Sequence, residues 1–240
     1  MLVDHGLPDL LASVGTGGLD VRMSLVRASV LAVSLVLTVG ACSSGSTPDV
    51  SHAGQIDYAC ALTDHVAGDL DLDGWSPLER ANHGALREIG ALAALVGGTG
   101  RPVHENEELA EAGQTLFAGL QRMDDDLMQQ GLDGVAQQCT DVDTSSEPDV
   151  TDEGQLDYAC ALLDHVLEEH GEVGAWDRDD YAWHEVVGVA SLAGVVSAVE
   201  ASGPADLVEP ATNVFAGVVR LDEEAMRAGV DGIDRWCQER

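Results

Sequence analysis

No lysine occurs in the 240 residues, so all 11 basic side chains are arginines, and they face 43 acidic ones for a formal charge of -32. That balance excludes a nucleic-acid binder, because neutralising phosphates takes clustered Lys and Arg, and it excludes electrostatic docking on anionic lipid. A partner drawn by charge is therefore cationic, a basic protein or peptide. Aromatic residues are few, at 4%, and Trp176, Tyr181, Trp183 and Trp236 gather in the second half, where helix packing accounts for them. The chain has no Cys-x-x-Cys pair, nucleophile elbow, Gly-rich phosphate loop or zinc-protease motif. Nothing visible supports catalysis, which makes an enzyme the most distant functional reading. What is abundant is aliphatic: hydrophobic residues make up 45%, with 27 glycines, enough to build packed cores and far from the composition of disorder.

From Met23 the chain reads MSLVRASVLAVSLVLTVGAC: a short segment with one arginine, an uncharged apolar stretch from Ala28 to Val39, then small residues. This is the three-part layout of a secretory signal. The uncharged run from Ala28 to Ala41, about 14 residues, is short of the roughly 20 that span a bilayer. The tetrad Val39-Gly40-Ala41-Cys42 resembles the lipobox of bacterial lipoproteins, in which an aliphatic and two small residues precede a cysteine that receives diacylglycerol. The resemblance implies a signal peptide over residues 1–41, cleavage before Cys42, lipidation with palmitate-type chains, and a lipid-anchored, extracytoplasmic location at the cell envelope. Residues 42–53, rich in Ser, Gly and Pro, then read as a tether. Upstream of Met23, Asp4, Asp9 and Asp20 outnumber Arg22, whereas a signal's leading segment is basic, so translation is expected to start at Met23 or at Val21.

The mature part is duplicated. PDVSHAGQIDYACALTDHV at 48–66 recurs as PDVTDEGQLDYACALLDHV at 148–166, and the segment 117–139 recurs at 215–237. Between these blocks Trp75 aligns with Trp176 and His83 with His184. The expected organisation is a helical repeat over 54–139, a polar linker over 140–153 and a second repeat over 154–240, each of which either stands alone or packs on the other.

Apolar spacing within each unit is helical, with no period of two. The first helix is expected over Gly54 to Val66, and a second from a capping box at Ser76-Pro77-Leu78-Glu79 to a break at Gly97 to Pro102. A long third helix is expected from Asn106 to Gln130, stopping at Gly131, with a short turn of helix from Asp133 to Cys139. In the second unit the matching signals are Asp177 as cap, Gly203-Pro204 as break and Gly229 as stop. The fold class is thus all-α: two tandem homologous small bundles, each of three long helices and one short one.

Setting Cys42 aside leaves four cysteines in an exported chain, which suits disulfides. Of three pairings, the repeat selects Cys60 with Cys139 and Cys160 with Cys237, one bond within each unit.

Two acidic constellations are candidate metal sites. Asp57, Asp64 and His65 lie on one flank of the first helix and recur as Asp157, Asp164 and His165. Carboxylates with an imidazole can ligate a divalent cation. The competing explanation is that an acid near a helix start and a His near its end suit the helix dipole. Asp69, Asp71 and Asp73, followed by Gly74, match the opening of a calcium loop, but Arg80 stands where its bidentate acid belongs. The sequence therefore favours a noncatalytic, membrane-anchored binding module for a protein, peptide or envelope component, needing no cofactor. The alternative is a lipoprotein that binds divalent cations.

Overall fold

The computed structural model describes residues 47–69, 84–97, 106–140, 148–177, 181–195 and 203–240. The signal, the lipobox with Cys42, and Asp71, Asp73, Trp75 and His83 lie outside these residues. Among those described, the secondary structure is helical throughout. The first repeat contributes α1 (His52–Asp69), α2 (Gly84–Leu95), α3 (Glu107–Arg122) and α4 (Asp125–Cys139). The second contributes α5 (Asp152–His170), a 3-10 turn at Val173–Ala175, α6 (Ala182–Leu192), α7 (Ala205–Arg220) and α8 (Glu223–Glu239). No helix among the described residues is long and apolar enough to cross a membrane.

Residues 45–240 form one compact unit, and the apolar cores of the two repeats are continuous. The reason lies in α2 and α6, which are apolar almost all round and so need cover on every side. Ten consecutive residues of α2, Leu86 to Leu95, are buried, as are Val186 to Leu192 of α6. The two helices pack on one another, with Gly188 of α6 in contact distance of Ala94 and Leu95 of α2. Around this central pair, α3 with α4 and α7 with α8 form antiparallel hairpins, and α1 and α5 close the remaining sides. Disulfides join Cys60 to Cys139 and Cys160 to Cys237, tying the first helix of each repeat to its last.

The boundaries of the later helices depart from the sequence-based expectation. Instead of one long helix and a short turn, α3 and α4 have similar lengths, and the chain bends at Met123, which takes a left-handed conformation (φ 52°). Asp124 then caps α4 by accepting from the Leu127 amide at 3.2 Å. Leu221 (φ 54°) and Asp222 repeat this arrangement between α7 and α8. The expected stops, Gly131 and Gly229, lie inside helices, where they permit close crossing. A Cβ on Gly131 would stand 2.7 Å from the Leu116 nitrogen, and one on Gly229 would stand 2.6 Å from the Pro210 oxygen. Asn106 does cap α3, accepting from Glu108 and Leu109, and Pro204 does precede α7. Asp177 is not the residue that opens α6, which begins after Tyr181 without a side-chain cap.

The internal register also changes. Glu88 and Glu185 occupy equivalent places in α2 and α6, and Gly97 (φ 87°) and Gly194 (φ 107°) end those helices alike. In this register His184 matches Arg87 rather than His83, because Glu88 follows Val66 by 22 residues whereas Glu185 follows Val166 by 19.

Candidate functional site

The most heavily duplicated segment, Pro48 to Val66 and Pro148 to Val166, builds a polar seam where the repeats meet. Asp49 Oδ1 accepts from the Ser51 amide at 3.0 Å, and the Ser51 hydroxyl accepts from the Gly54 amide at 3.2 Å, opening α1. Asp149 and Thr151 do the same for α5. Hydrogen bonds from the Ser51 side chain, then its backbone, hold the Asp49 carboxyl below its usual range, and Thr151 does so for Asp149. The following glycines are required by this folding-back: a Cβ on Gly54 would stand 2.2 Å from the Asp49 carbonyl oxygen, and one on Gly154 would stand 2.3 Å from that of Asp149.

Gln55, next in the chain, is fully buried. Its Nε2 donates to the Val50 carbonyl at 3.1 Å and, across the seam, to Glu185 Oε1 at 2.7 Å. Gln155 mirrors it, donating to Val150 at 2.8 Å and to Glu88 Oε1 at 2.7 Å. One turn on, Tyr58 stacks on Tyr158 with ring centroids 3.6 Å apart and planes inclined by 16°. Neither hydroxyl has a hydrogen-bond partner among the described residues. Burial first, then Asp149 and Glu88, push the Tyr58 phenol far above its usual range; burial, then Tyr58, Glu185 and the acids at Asp49 and Asp57, do the same for Tyr158. Arg87, only 5% exposed, reaches over the seam to Asp152 Oδ1 at 2.5 Å while its Nη2 lies 3.9 Å from Glu88.

The expected metal ligands do not converge. Asp64 and Asp164 are exposed, and Asp157 pairs with Arg240 Nη1 at 3.1 Å. His65 Nε2 faces Glu88 across to α2 at 3.6 Å, whereas His165 Nε2 faces Glu169 on its own helix at 3.0 Å. Asp69 ends α1, and its loop partners Asp71 and Asp73 lie outside the described residues. Among the described residues, no group of three or more His, Cys, Asp or Glu is placed to hold a metal ion. The residues that sequence reasoning passed over are Gln55, Gln155, Glu88 and Glu185. Their available signal was the retained Gly-Gln pair and the Arg-Glu and His-Glu pairs beginning each apolar second helix.

Outside the seam, a cleft of about 430 Å³ opens between the end of α5, the 3-10 turn and α8. Leu167, Val173 and Val230 form its apolar part and Glu172, Asp231 and Asp234 its acidic part, while Arg227 at its edge pairs with Glu223. Next to it Asp164 is held above its usual range by partial burial and by the like charges of Asp234 and Glu168. A smaller polar cleft of about 270 Å³ lies between α3 and α4. No protein-family model, curated protein or solved structure matches this chain. The seam thus joins the repeats through enclosed groups, and the chemistry of the larger cleft is that of carboxylates beside Leu167 and the Arg227–Glu223 pair.

Proposed function

We propose that this protein is a noncatalytic binding module, anchored by lipid on Cys42 at the outer face of a membrane, that holds a cationic partner from the cell envelope. The observation that carries the binding reading is the charge, -32 over the chain, part of which lines the mixed cleft at Glu172, Asp231 and Asp234. Its volume is within the usual range for ligand clefts, about 300 to 1,000 Å³. A basic side chain with an apolar stem, or an amphipathic basic peptide, satisfies both parts of that lining. Both disulfides support an oxidising compartment, in keeping with the lipobox resemblance.

Calorimetric titration of the oxidised 43–240 fragment with a synthetic peptide alternating leucine and arginine tests this. Saturable binding that weakens with salt and in the Asp231→Asn, Asp234→Asn variant is expected; a response unaffected by that variant contradicts the cleft as the site. Labelling of the full chain with radioactive palmitate in a bacterial host, abolished in Cys42→Ser, tests the anchor, and an unlabelled parent chain removes it.

A further inference from the structure

Among the described residues three large apolar side chains stand in solvent: Tyr181 (40% exposed), Val219 (76%) and Leu221 (55%). Their neighbours place them at one end of the second repeat. Leu221 turns the chain from α7 into α8, whose first turns lie against the 3-10 turn: a Cβ on Gly174 would stand 3.1 Å from Glu223 Oε1 and 2.7 Å from Arg227 Nη2. Trp176, next after that turn, meets Trp183 of α6 edge-on at 6.5 Å. Tyr181, just before α6, meets His52, the first residue of α1, edge-on at 6.1 Å. The start of α1, and with it the stretch that leads back to Cys42, is therefore at this same end. We propose that Tyr181, Val219 and Leu221 form a face that rests on the lipid bilayer, so that the module is oriented on the membrane as well as tethered to it. This rests on the reading of Cys42 as the lipid anchor.

Reach selects the bilayer as what covers this face. The fold takes hold of the chain at Asp49, which accepts from the Ser51 amide, seven residues after Cys42. Seven residues span at most about 25 Å. With 19 residues, α5 is about 28 Å long and ends at this end of the molecule. A lipid held in the membrane thus lets the near end touch the surface, and not the far one. The first repeat supplies the comparison. Gln55 at the start of α1 meets the start of α6, and Gln155 at the start of α5 meets the start of α2, so α1 and α5 run in opposite directions and the α3–α4 tip lies at the far end. There an exposed Gln121 stands in place of Val219, and Met123, in place of Leu221, is half-buried. The exposed apolar pair is therefore on the tip beside the tether. A small face suffices, because the tether presents the surface at a high effective concentration. Asp222, Glu223 and Glu224 beside Leu221 oppose anionic headgroups, so the contact is apolar and suits neutral lipid.

The test uses the full chain, lipidated in a bacterial host and placed in phosphatidylcholine nanodiscs, with leucine and valine methyls labelled for NMR and a gadolinium chelate on some headgroups. Val218 at the near tip and Leu127 beside the far tip are the reporters. Val218 is expected to broaden far more than Leu127. Val219→Gln with Leu221→Gln is expected to lower the ratio of docked to lifted molecules, read from Val218, by about tenfold to thirtyfold. Gln121→Val, which gives the far tip the same apolar side chain, is expected to leave both reporters unchanged. Unshifted signals from Leu162 and Val186 in the core show that each variant is folded. A chain that co-elutes with the discs while Val218 and Leu127 broaden alike, or a double variant that broadens as its parent does, overturns the docking face and leaves the anchor standing. A chain that does not co-elute with the discs overturns the anchor, and the face with it. Docking strengthened by phosphatidylglycerol would assign the contact to Arg220 and Arg227 and overturn its apolar basis.

Discussion

Replacing Gln55 by leucine removes the amide that Glu185 accepts at 2.7 Å while keeping much of the side-chain volume. Glu185 is 2% exposed and cannot recruit bulk water, so its carboxylate is left without that donor, with His170 Nε2 at 3.8 Å. Stranding a buried charge costs about 3 kcal/mol, which for a folded unit of this size lowers the melting temperature by roughly 6 to 12 °C. Glu185→Leu should be milder, about 1 kcal/mol, because Gln55 Nε2 retains the Val50 carbonyl at 3.1 Å and no charge is stranded. The double variant should cost about 2 kcal/mol, well under the sum, which gives a coupling of about 2 kcal/mol between residues 130 apart in sequence. The mirrored change, Gln155→Leu, should cost less than Gln55→Leu, because Arg87 Nη2 stays 3.9 Å from Glu88. Thermal unfolding followed by circular dichroism on the parent and all four variants measures this. Single variants that add to within about 0.5 kcal/mol, or a Gln55→Leu protein as stable as its parent, refute the seam.

Gly131→Ala and Gly229→Ala should each destabilise by about 1 to 3 kcal/mol, since the new methyl meets backbone on the facing helix. Were the glycines free of contact inside a helix, the same changes would stabilise by up to about 1 kcal/mol, so the sign in a denaturant melt decides. Cys60→Ser with Cys139→Ser opens a loop of 79 residues and should cost up to about 4.5 kcal/mol on the chain-entropy account. Equal melting of parent and variant would contradict that. Both seam phenols are held protonated in the folded chain, so their contribution is complete below the unfolded value of 10.0 and is lost as pH rises past it. Two such groups give a slope of about 2.7 kcal/mol per pH unit, measurable as the alkaline limb of stability and absent in Tyr58→Phe with Tyr158→Phe.

The helical class and the disulfide pairing could be read from the sequence because both rest on local or repeated signals: apolar spacing, Asn106 as a cap, and cysteines at matching places in each copy. The break at Met123 was hidden because Leu120, Met123 and Leu127 continue a helical stripe across it, and because the left-handed residue is not glycine. Its signal was the aspartate after it, Asp124 or Asp222, with acids in the next turn. Gly131 and Gly229 misled for a complementary reason, since a glycine that ends a helix and one that admits a neighbouring helix look alike until the neighbour is placed. The recurrence of the first helix in both copies invited a metal reading of Asp57, Asp64 and His65. The structure instead ties its retained Gly, Gln, Tyr and Cys to folding, through Gly54, Gln55, Tyr58 and Cys60. Glu88 and Glu185 could not be matched from sequence because the stretch of sequence before them is three residues shorter in the second copy, which shifts the register of the repeat.

The most direct test of a single fused core is native-state hydrogen exchange on the oxidised 43–240 fragment across a denaturant series, comparing the amides of α2 with those of α6. Protection that is lost together, with one free energy and one denaturant dependence equal to global unfolding, is the result expected of helices that bury one another. Separate openings of the two repeats, each with a smaller denaturant dependence, would mean two independent bundles and would contradict the account.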